Sequence, residues 1–146
     1  MSHPVAVVPG ALEALQGLSK AAAKTGVPHT TLKMVSLRAS QINACSFCVE
    51  MHARELREAG ESEERIATVA AWREAPWFSD AERAALALTE AVTRIADRPE
   101  SITDEIWAEA AEHYDESQLG GLLLDIGVIN VWNRLNAATR RPAGSW

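Results

Sequence analysis

Two cysteines and a histidine are the residues of this chain whose types and spacing could carry out chemistry. The only cysteines, Cys45 and Cys48, are three positions apart, and His52 follows four positions after the second. On an α-helix these positions lie within about 60° of one another, so the three side chains would share one face. Cysteine reacts as its thiolate, and an imidazole partner or a helix N-terminus lowers the pKa of a thiol. The spacing therefore favours thiol redox chemistry.

A peroxide could be reduced at such a pair in two steps. One thiolate would attack the peroxide and become a sulfenic acid, and the second thiol would condense with it to form a disulfide. An external dithiol would then have to restore the pair.

Two other interpretations of these residues stay open. Two thiolates and an imidazole are proper zinc ligands, but a structural zinc site needs a fourth ligand, and the sequence has no second Cys/His pair. Free cysteine is also among the most buried residue types, so both thiols could be inert core residues. The βαβ context typical of a redox Cys-x-x-Cys is missing, which disfavours a thioredoxin fold.

The elements that must position these residues are helical, because apolar residues recur at helical spacing between turn signals and no stretch alternates like a strand. We predict an all-α bundle of six or seven helices, with the cysteine pair at the start of a central helix. Capping residues and turn signals place the helices at about 11–25, 30–41, 45–59, 62–75, 79–96, 103–113 and 117–138. Thr30 or Thr31, Ser79, Thr103 or Ser101, and Ser117 are the predicted starts.

Composition sets the class of protein. The chain has 146 residues, so we predict one domain over 1–146, and a net charge of −6 without a basic patch argues against nucleic-acid binding. The longest apolar stretch, 120–131, is interrupted by Asp125 and is too short to span a membrane. Without a secretion signal at its start, we expect the chain to be cytoplasmic.

Four segments resemble the alkylhydroperoxidase D-like (AhpD-like), carboxymuconolactone decarboxylase family. They are Leu37–His52, which contains the cysteine pair, and the stretches 71–79, 82–93 and 129–134. The resemblance covers about residues 12 to 135, with a family core over about 12–96 and C-terminal helices over 103–138.

The resemblance implies an AhpD-like homo-oligomer, a trimer or a hexamer, that reduces hydroperoxides as a thiol-dependent antioxidant peroxidase. By the family mechanism Cys48 attacks the peroxide, Cys45 resolves the sulfenic acid, and His52 relays the proton. The implied partners are a hydroperoxide and an external dithiol, a lipoyl or thioredoxin-type reductant, and we expect no cofactor and no bound metal. The alternative is a non-catalytic redox sensor or thiol–disulfide partner; a Cys/His metal site or a decarboxylase-like enzyme is less favoured.

One departure from the family pattern concerns the relay carboxylate. The family often has a glutamate twelve positions before the first cysteine, where this chain has Lys33. Lysine cannot act as that carboxylate, and we interpret Lys33 as a solvated residue that could at most favour a thiolate by its charge. Glu50 would point away from the cysteines, and Glu90 is the candidate that could replace the missing group.

For the other polar and aromatic residues that could belong to a site, we favour structural roles. Trp72, Trp77 and Phe78 are expected in the core or at an interface rather than around a substrate. We expect Asn130 and Asn133, on a last helix that is apolar nearly all round, at a subunit contact. The other histidines, at positions 3, 29 and 113, are expected on the surface or at helix caps.

Overall fold

The computed structural model describes residues 1–145 as an all-α bundle, which confirms the predicted fold class. The eight α-helices of the described chain are α1 (Pro4–Val7), α2 (Ala11–Ala23), α3 (His29–Ile42), α4 (Ser46–Glu58), α5 (Glu63–Thr68), α6 (Asp80–Thr93), α7 (Asp104–His113) and α8 (Glu116–Ala138). A 3-10 turn, Val69–Ala71, follows α5. The helix beyond the predicted number is α1, a single turn that the sequence analysis did not anticipate.

Side-chain caps explain most helix starts. Ser79 and Glu82 form the predicted capping box of α6, and Thr103 caps α7 by accepting from the Ile106 N–H at 3.3 Å. Two predicted starts are wrong. Helix α3 begins directly after Pro28 rather than with a threonine cap, and α8 is capped by Asp115 rather than beginning at Ser117.

Helices α3 and α8 form the centre of the bundle. Helix α3 packs against α4, α6 and α8, and α8 also packs against α2. Three clusters of buried side chains result: one among α3, α6, α7 and α8, a second among α3, α4, α5 and α6, and a third around both cysteines with Ala39, Phe47 and Ile129. The cysteine pair therefore lies in a packed interior where three helices meet.

Of the three aromatic residues expected in the core or at an interface, two lie in the core. Trp72 and Phe78 are each 6% exposed, whereas Trp77 is 48% exposed. None of the helices in residues 1–145 has the length and apolar character that crossing a membrane requires.

Candidate active site

The joint between α3 and α4 places Cys45 at the cap of α4. Ala44 has φ 53° and turns the chain, and Cys45 then takes an extended conformation as the residue that precedes the helix. Its sulfur accepts from the Cys48 N–H at 3.4 Å, as a capping side chain does. Cys48 thus lies in the first turn of α4, while Cys45 lies one position before that turn, not within it as the sequence analysis expected.

Asparagines hold this joint in place. The Asn43 amide donates to Asn130 Oδ1 and to Asn133 Oδ1, both at 2.9 Å, and Asn133 donates to Ser40 Oγ at 3.0 Å. Both asparagines find hydrogen-bond partners within the chain, and Asn133 is buried there at 1% exposure, so the expected subunit contact stays a prediction. Their hydrogen bonds tie α8 to the end of α3, immediately before the cysteines.

The two thiols are free, buried and in contact. Their sulfur atoms are 2.8 Å apart, and the residues are 4% and 0% exposed for Cys45 and Cys48. Burial, with the hydrogen bond and charge of Cys45, raises the pKa of Cys48 to about 12, although hydrogen bonds from Asn136 and Asn133 oppose the shift. Cys48 therefore needs a base to become a thiolate at neutral pH.

His52 provides a nitrogen for that purpose. It is 5% exposed and lies one helical turn after Cys48 on α4. Its Nδ1 is 2.8 Å from Glu55 Oε2, and its Nε2 is buried without a partner in the described chain. Because the carboxylate accepts from Nδ1–H, this contact favours the tautomer in which Nε2 can take a proton.

Glu55 is the carboxylate of this site, and the sequence analysis missed it. Its Oε2 also lies 3.0 Å from Lys33 Nζ. Burial acts to raise the pKa of Glu55, but the hydrogen bonds and charges of His52 and Lys33 outweigh it and lower the pKa to about 2. The signal in the sequence was the His52-x-x-Glu55 spacing, which brings two side chains together on a helix.

Lys33 and Glu90 differ from their expected roles. The Lys33 side chain is 24% exposed and paired, rather than solvated on a helix face. Glu90 does not replace the missing carboxylate, because it binds Arg38, Arg73 and the Trp72 indole N–H. These partners stabilise its charge in a separate cluster.

A cavity of about 460 Å³ lies beside the cysteine pair. Cys48 and His52 line it, whereas Cys45 does not. Its polar lining includes Lys33, Ser36, Glu55, Asp125, Asn136 and Arg141, and its apolar lining includes Leu32, Phe47, Met51, Val128, Ile129 and Trp132. A cavity of this size and mixed character can hold a small organic molecule.

Two cavity residues were absent from the sequence analysis as site candidates. Asn136, three positions after Asn133, donates its amide to Cys48 Sγ at 3.2 Å. Asp125 accepts from Ser36 Oγ at 3.0 Å, and burial raises the pKa of Asp125 against the lowering effects of Ser36 and nearby positive charge. Asn136 and Asp125 both belong to α8. They line the cavity because α8 packs against α3 and α4.

Other histidines and potential metal ligands lie apart from this arrangement. His3 caps α1, as the sequence indicated, and stacks on Trp132 with ring centroids 5.8 Å apart. His29 is exposed at the start of α3, and its side chain also reaches the cavity lining. In the described part of the chain, no three His, Cys, Asp or Glu side chains are grouped so that they could hold a metal ion.

This architecture, an all-α bundle with Cys-x-x-Cys at the start of a central helix, is the AhpD-like fold. It superimposes with a TM-score of 0.86 on an Agrobacterium tumefaciens protein of unknown function with the provisional name antioxidant defence protein AhpD, at 34% identity over 93% of this chain and 92% of that chain. An uncharacterized peroxidase-related protein from Ralstonia eutropha with an alkylhydroperoxidase AhpD core shares the fold at 18% identity, with a TM-score of 0.75 over 93% and 72% of the two chains.

Sequence comparison gives the family. The profile of the carboxymuconolactone decarboxylase family matches residues 9–91. The uncharacterized protein YdfG of Bacillus subtilis is 36% identical over 139 residues, which are 95% of this chain and 93% of that protein. The chain belongs to the carboxymuconolactone decarboxylase family, which confirms the resemblance found in the sequence.

Proposed function

We propose that this protein is a thiol-dependent peroxidase that reduces hydroperoxides with Cys48 and Cys45. The observation that carries the proposal is the contact of the two sulfur atoms at 2.8 Å, with Cys48 alone of the pair in the cavity wall, next to His52. The name of the Agrobacterium tumefaciens relative supports an antioxidant role.

The first step oxidises Cys48. His52 Nε2 takes the Cys48 proton, the thiolate sulfur attacks one peroxide oxygen, and the O–O bond breaks. Cys48 becomes a sulfenic acid, and the alcohol leaves with the proton returned by His52. The high pKa of Cys48 makes this base necessary, and Glu55 stabilises the positive charge that His52 carries between the two proton transfers.

The second step closes the cycle. Cys45 gives up its proton, its sulfur attacks the Cys48 sulfur and the S–O bond breaks; the disulfide forms, and the hydroxyl takes that proton and leaves as water. An external dithiol, such as a lipoyl or thioredoxin-type reductant, then reduces the disulfide by thiol exchange and is itself oxidised. One hydroperoxide and one dithiol thus give one alcohol, one water and one disulfide.

Peroxide consumption in the presence of a dithiol tests the proposal. The purified protein should consume an organic hydroperoxide catalytically, and Cys48→Ser should abolish this. Cys45→Ser should still be oxidised once, and a sulfenic-acid reagent should label Cys48 in that variant.

The outcomes separate this function from its alternatives. Stoichiometric oxidation without turnover would contradict the peroxidase and indicate a redox sensor or a thiol–disulfide partner. Equal turnover by Cys48→Ser would place the chemistry elsewhere. Within the proposal the protein acts as a homo-oligomer, a trimer or a hexamer as the family resemblance implies.

A further inference from the structure

One basic side chain of the cavity has no acidic partner. Lys33 is paired with Glu55, whereas Arg141 has no carboxylate within ion-pair distance among residues 1–145. Its Nε and Nη2 donate to the Ser145 carbonyl, at 3.3 and 2.9 Å, and its guanidinium lies over the Phe47 ring, 4.2 Å from the ring centre. No acceptor among residues 1–145 takes the Nη1 hydrogens or the second Nη2 hydrogen, so these two nitrogens can present a fork to a ligand, and the contact with Phe47 restrains the guanidinium.

This guanidinium lies at the cysteine end of the cavity. The backbone N–H of Arg141 donates to the Asn136 carbonyl at 2.9 Å, and the Asn136 side chain donates to Cys48 Sγ at 3.2 Å. Phe47, beneath the guanidinium, is the neighbour of Cys48 in the first turn of α4. That turn is the positive end of the α4 dipole, which adds to the positive potential from Arg141.

Another part of the cavity lining is apolar. Met51, Val128, Ile129 and Trp132 form this part, and the His3 ring stacks on that of Trp132. Such a wall accommodates a hydrocarbon or aromatic group. The cavity therefore combines apolar lining with one cation, Arg141, that has no carboxylate partner among residues 1–145.

We propose that Arg141 binds a carboxylate, and that the substrate is an apolar organic acid bearing the hydroperoxide. The inference rests on the proposed peroxidase function for the reacting group, but the carboxylate site stands on the cavity alone. Arginine presents its donors in a planar fork that matches a carboxylate, and a charge-assisted hydrogen bond is about twice as strong as a neutral one.

Binding to the inert Cys48→Ser protein tests the carboxylate site without turnover. The probes are 4-isopropylbenzoate and its methyl ester, compared by calorimetry at neutral pH. We expect the acid to bind about tenfold more tightly than the ester, equivalent to about 1.4 kcal/mol. Arg141→Gln in the same background should remove the difference, and Arg141→Lys should retain part of it.

Arg140→Gln is the matched control. It removes the same charge from the neighbouring residue, which does not line the cavity, so the preference for the acid should persist. Equal affinity of acid and ester, or a preference that survives Arg141→Gln, would overturn the proposal. A thermal melt of each variant shows that it is folded.

Kinetics distinguish a failure of this inference from a failure of the peroxidase function. The substrates are cumene hydroperoxide with a para-carboxylate and the methyl ester of that compound. The acid-to-ester ratio of kcat/KM should exceed one and fall about tenfold in Arg141→Gln, mainly through KM. Turnover without acid preference would overturn the carboxylate site alone, and acid binding without any turnover would overturn the peroxidase alone.

Discussion

The Glu55 carboxylate holds two nitrogen atoms of the site at once, His52 Nδ1 at 2.8 Å and Lys33 Nζ at 3.0 Å. The first contact orients the imidazole, and the second comes from a neighbouring helix and fixes the carboxylate itself. Glu55 is a positioning residue, because it acts on the thiol only through His52.

Glu55→Gln is expected to slow Cys48 oxidation by about tenfold, part of the contribution that a positioned proton-transfer group makes. The amide oxygen can still accept from Nδ1–H, but the charge that stabilises protonated His52 is lost. The measurement is the rate of sulfenic-acid formation against pH. Because the pKa of Glu55 is about 2, the wild-type profile should show no step from Glu55 between pH 4 and pH 8.

Glu58→Gln is the control for this variant, since Glu58 lies on the same helix with a side chain that is 70% exposed. If both substitutions slow oxidation equally, the loss comes from helix charge and not from the contact with His52.

Exchanging the charges of Lys33 and Glu55 should show whether the two residues are energetically coupled. Lys33→Glu alone places two carboxylates side by side and should destabilise the fold and slow oxidation. The double variant Lys33→Glu, Glu55→Lys restores an opposite pair and moves the carboxylate to the position where the family often has it. We expect the double variant to be more stable and more active than Lys33→Glu. Additive losses in a double-mutant cycle would show that the residues are not coupled.

The sequence predicted that Cys45, Cys48 and His52 lie together, but not that the Glu55 carboxylate lies beside His52. Cys45, Cys48 and His52 share a local helical spacing, and so does Glu55, three positions after His52; the prediction missed it by following the family position to Lys33. The contact between Lys33 and Glu55 joins α3 to α4 and depends on tertiary packing, which no local pattern specifies. Asn136 was missed for the same reason.

At the level of the elements, α8 packs tightly at Gly121 against Thr25, which follows the end of α2. A Cβ on Gly121 would overlap Thr25 Oγ1, and the Thr25 hydroxyl donates to the Ala22 carbonyl at 2.8 Å. The contact needs a residue without a side chain at position 121.

Gly121→Ala should therefore lower the free energy of unfolding by about 1–3 kcal/mol, the usual range for overpacking. Gly120→Ala is the control, because no atom lies within 4 Å of its added Cβ and alanine is the better helix former. Urea unfolding measures both variants. A Gly121→Ala protein as stable as Gly120→Ala would show that α2 can shift without cost.

Helix boundaries were predictable where the cap is local. Ser79 with Glu82 gave the start of α6 correctly, but Asp115 with Gln118 is an equivalent box that the choice of Ser117 overlooked. The joint before α4 could be placed from Asn43, whereas its hydrogen bonds to α8 could not, because their partners are 87 and 90 positions away.

For the molecule as a whole, we expect self-association through the exposed side of α8. Leu124 and Val131, each 40% exposed, lie two turns apart on one face of this helix. Light scattering should give the mass of a trimer or a hexamer, and Leu124→Glu should reduce it because a buried charge is costly. A monomeric wild-type protein, or an unchanged mass in Leu124→Glu, would contradict this prediction.

The stability of the whole fold should depend on pH through two carboxyl groups, one with a lowered and one with a raised pKa. Glu55 has a folded pKa of about 2 against an ordinary value of 4.5, so it stabilises the fold above pH 4.5, and this contribution is lost as the pH falls through 2. Burial raises the pKa of Asp125 above its ordinary 3.8, so its charge destabilises the fold at neutral pH, and the cost disappears below pH 3.8.

Asp125→Asn should consequently raise the free energy of unfolding at pH 7, because the amide oxygen can still accept from Ser36 Oγ without a buried charge. The gain should vanish near pH 3, where the wild-type carboxyl is protonated in both the folded and the unfolded states. Urea unfolding of wild type and variant at the two pH values measures the difference. A gain that is equal at both values would mean that it comes from packing, and a loss at pH 7 would mean that the Asp125 charge stabilises Lys33 and His52 by more than its burial costs.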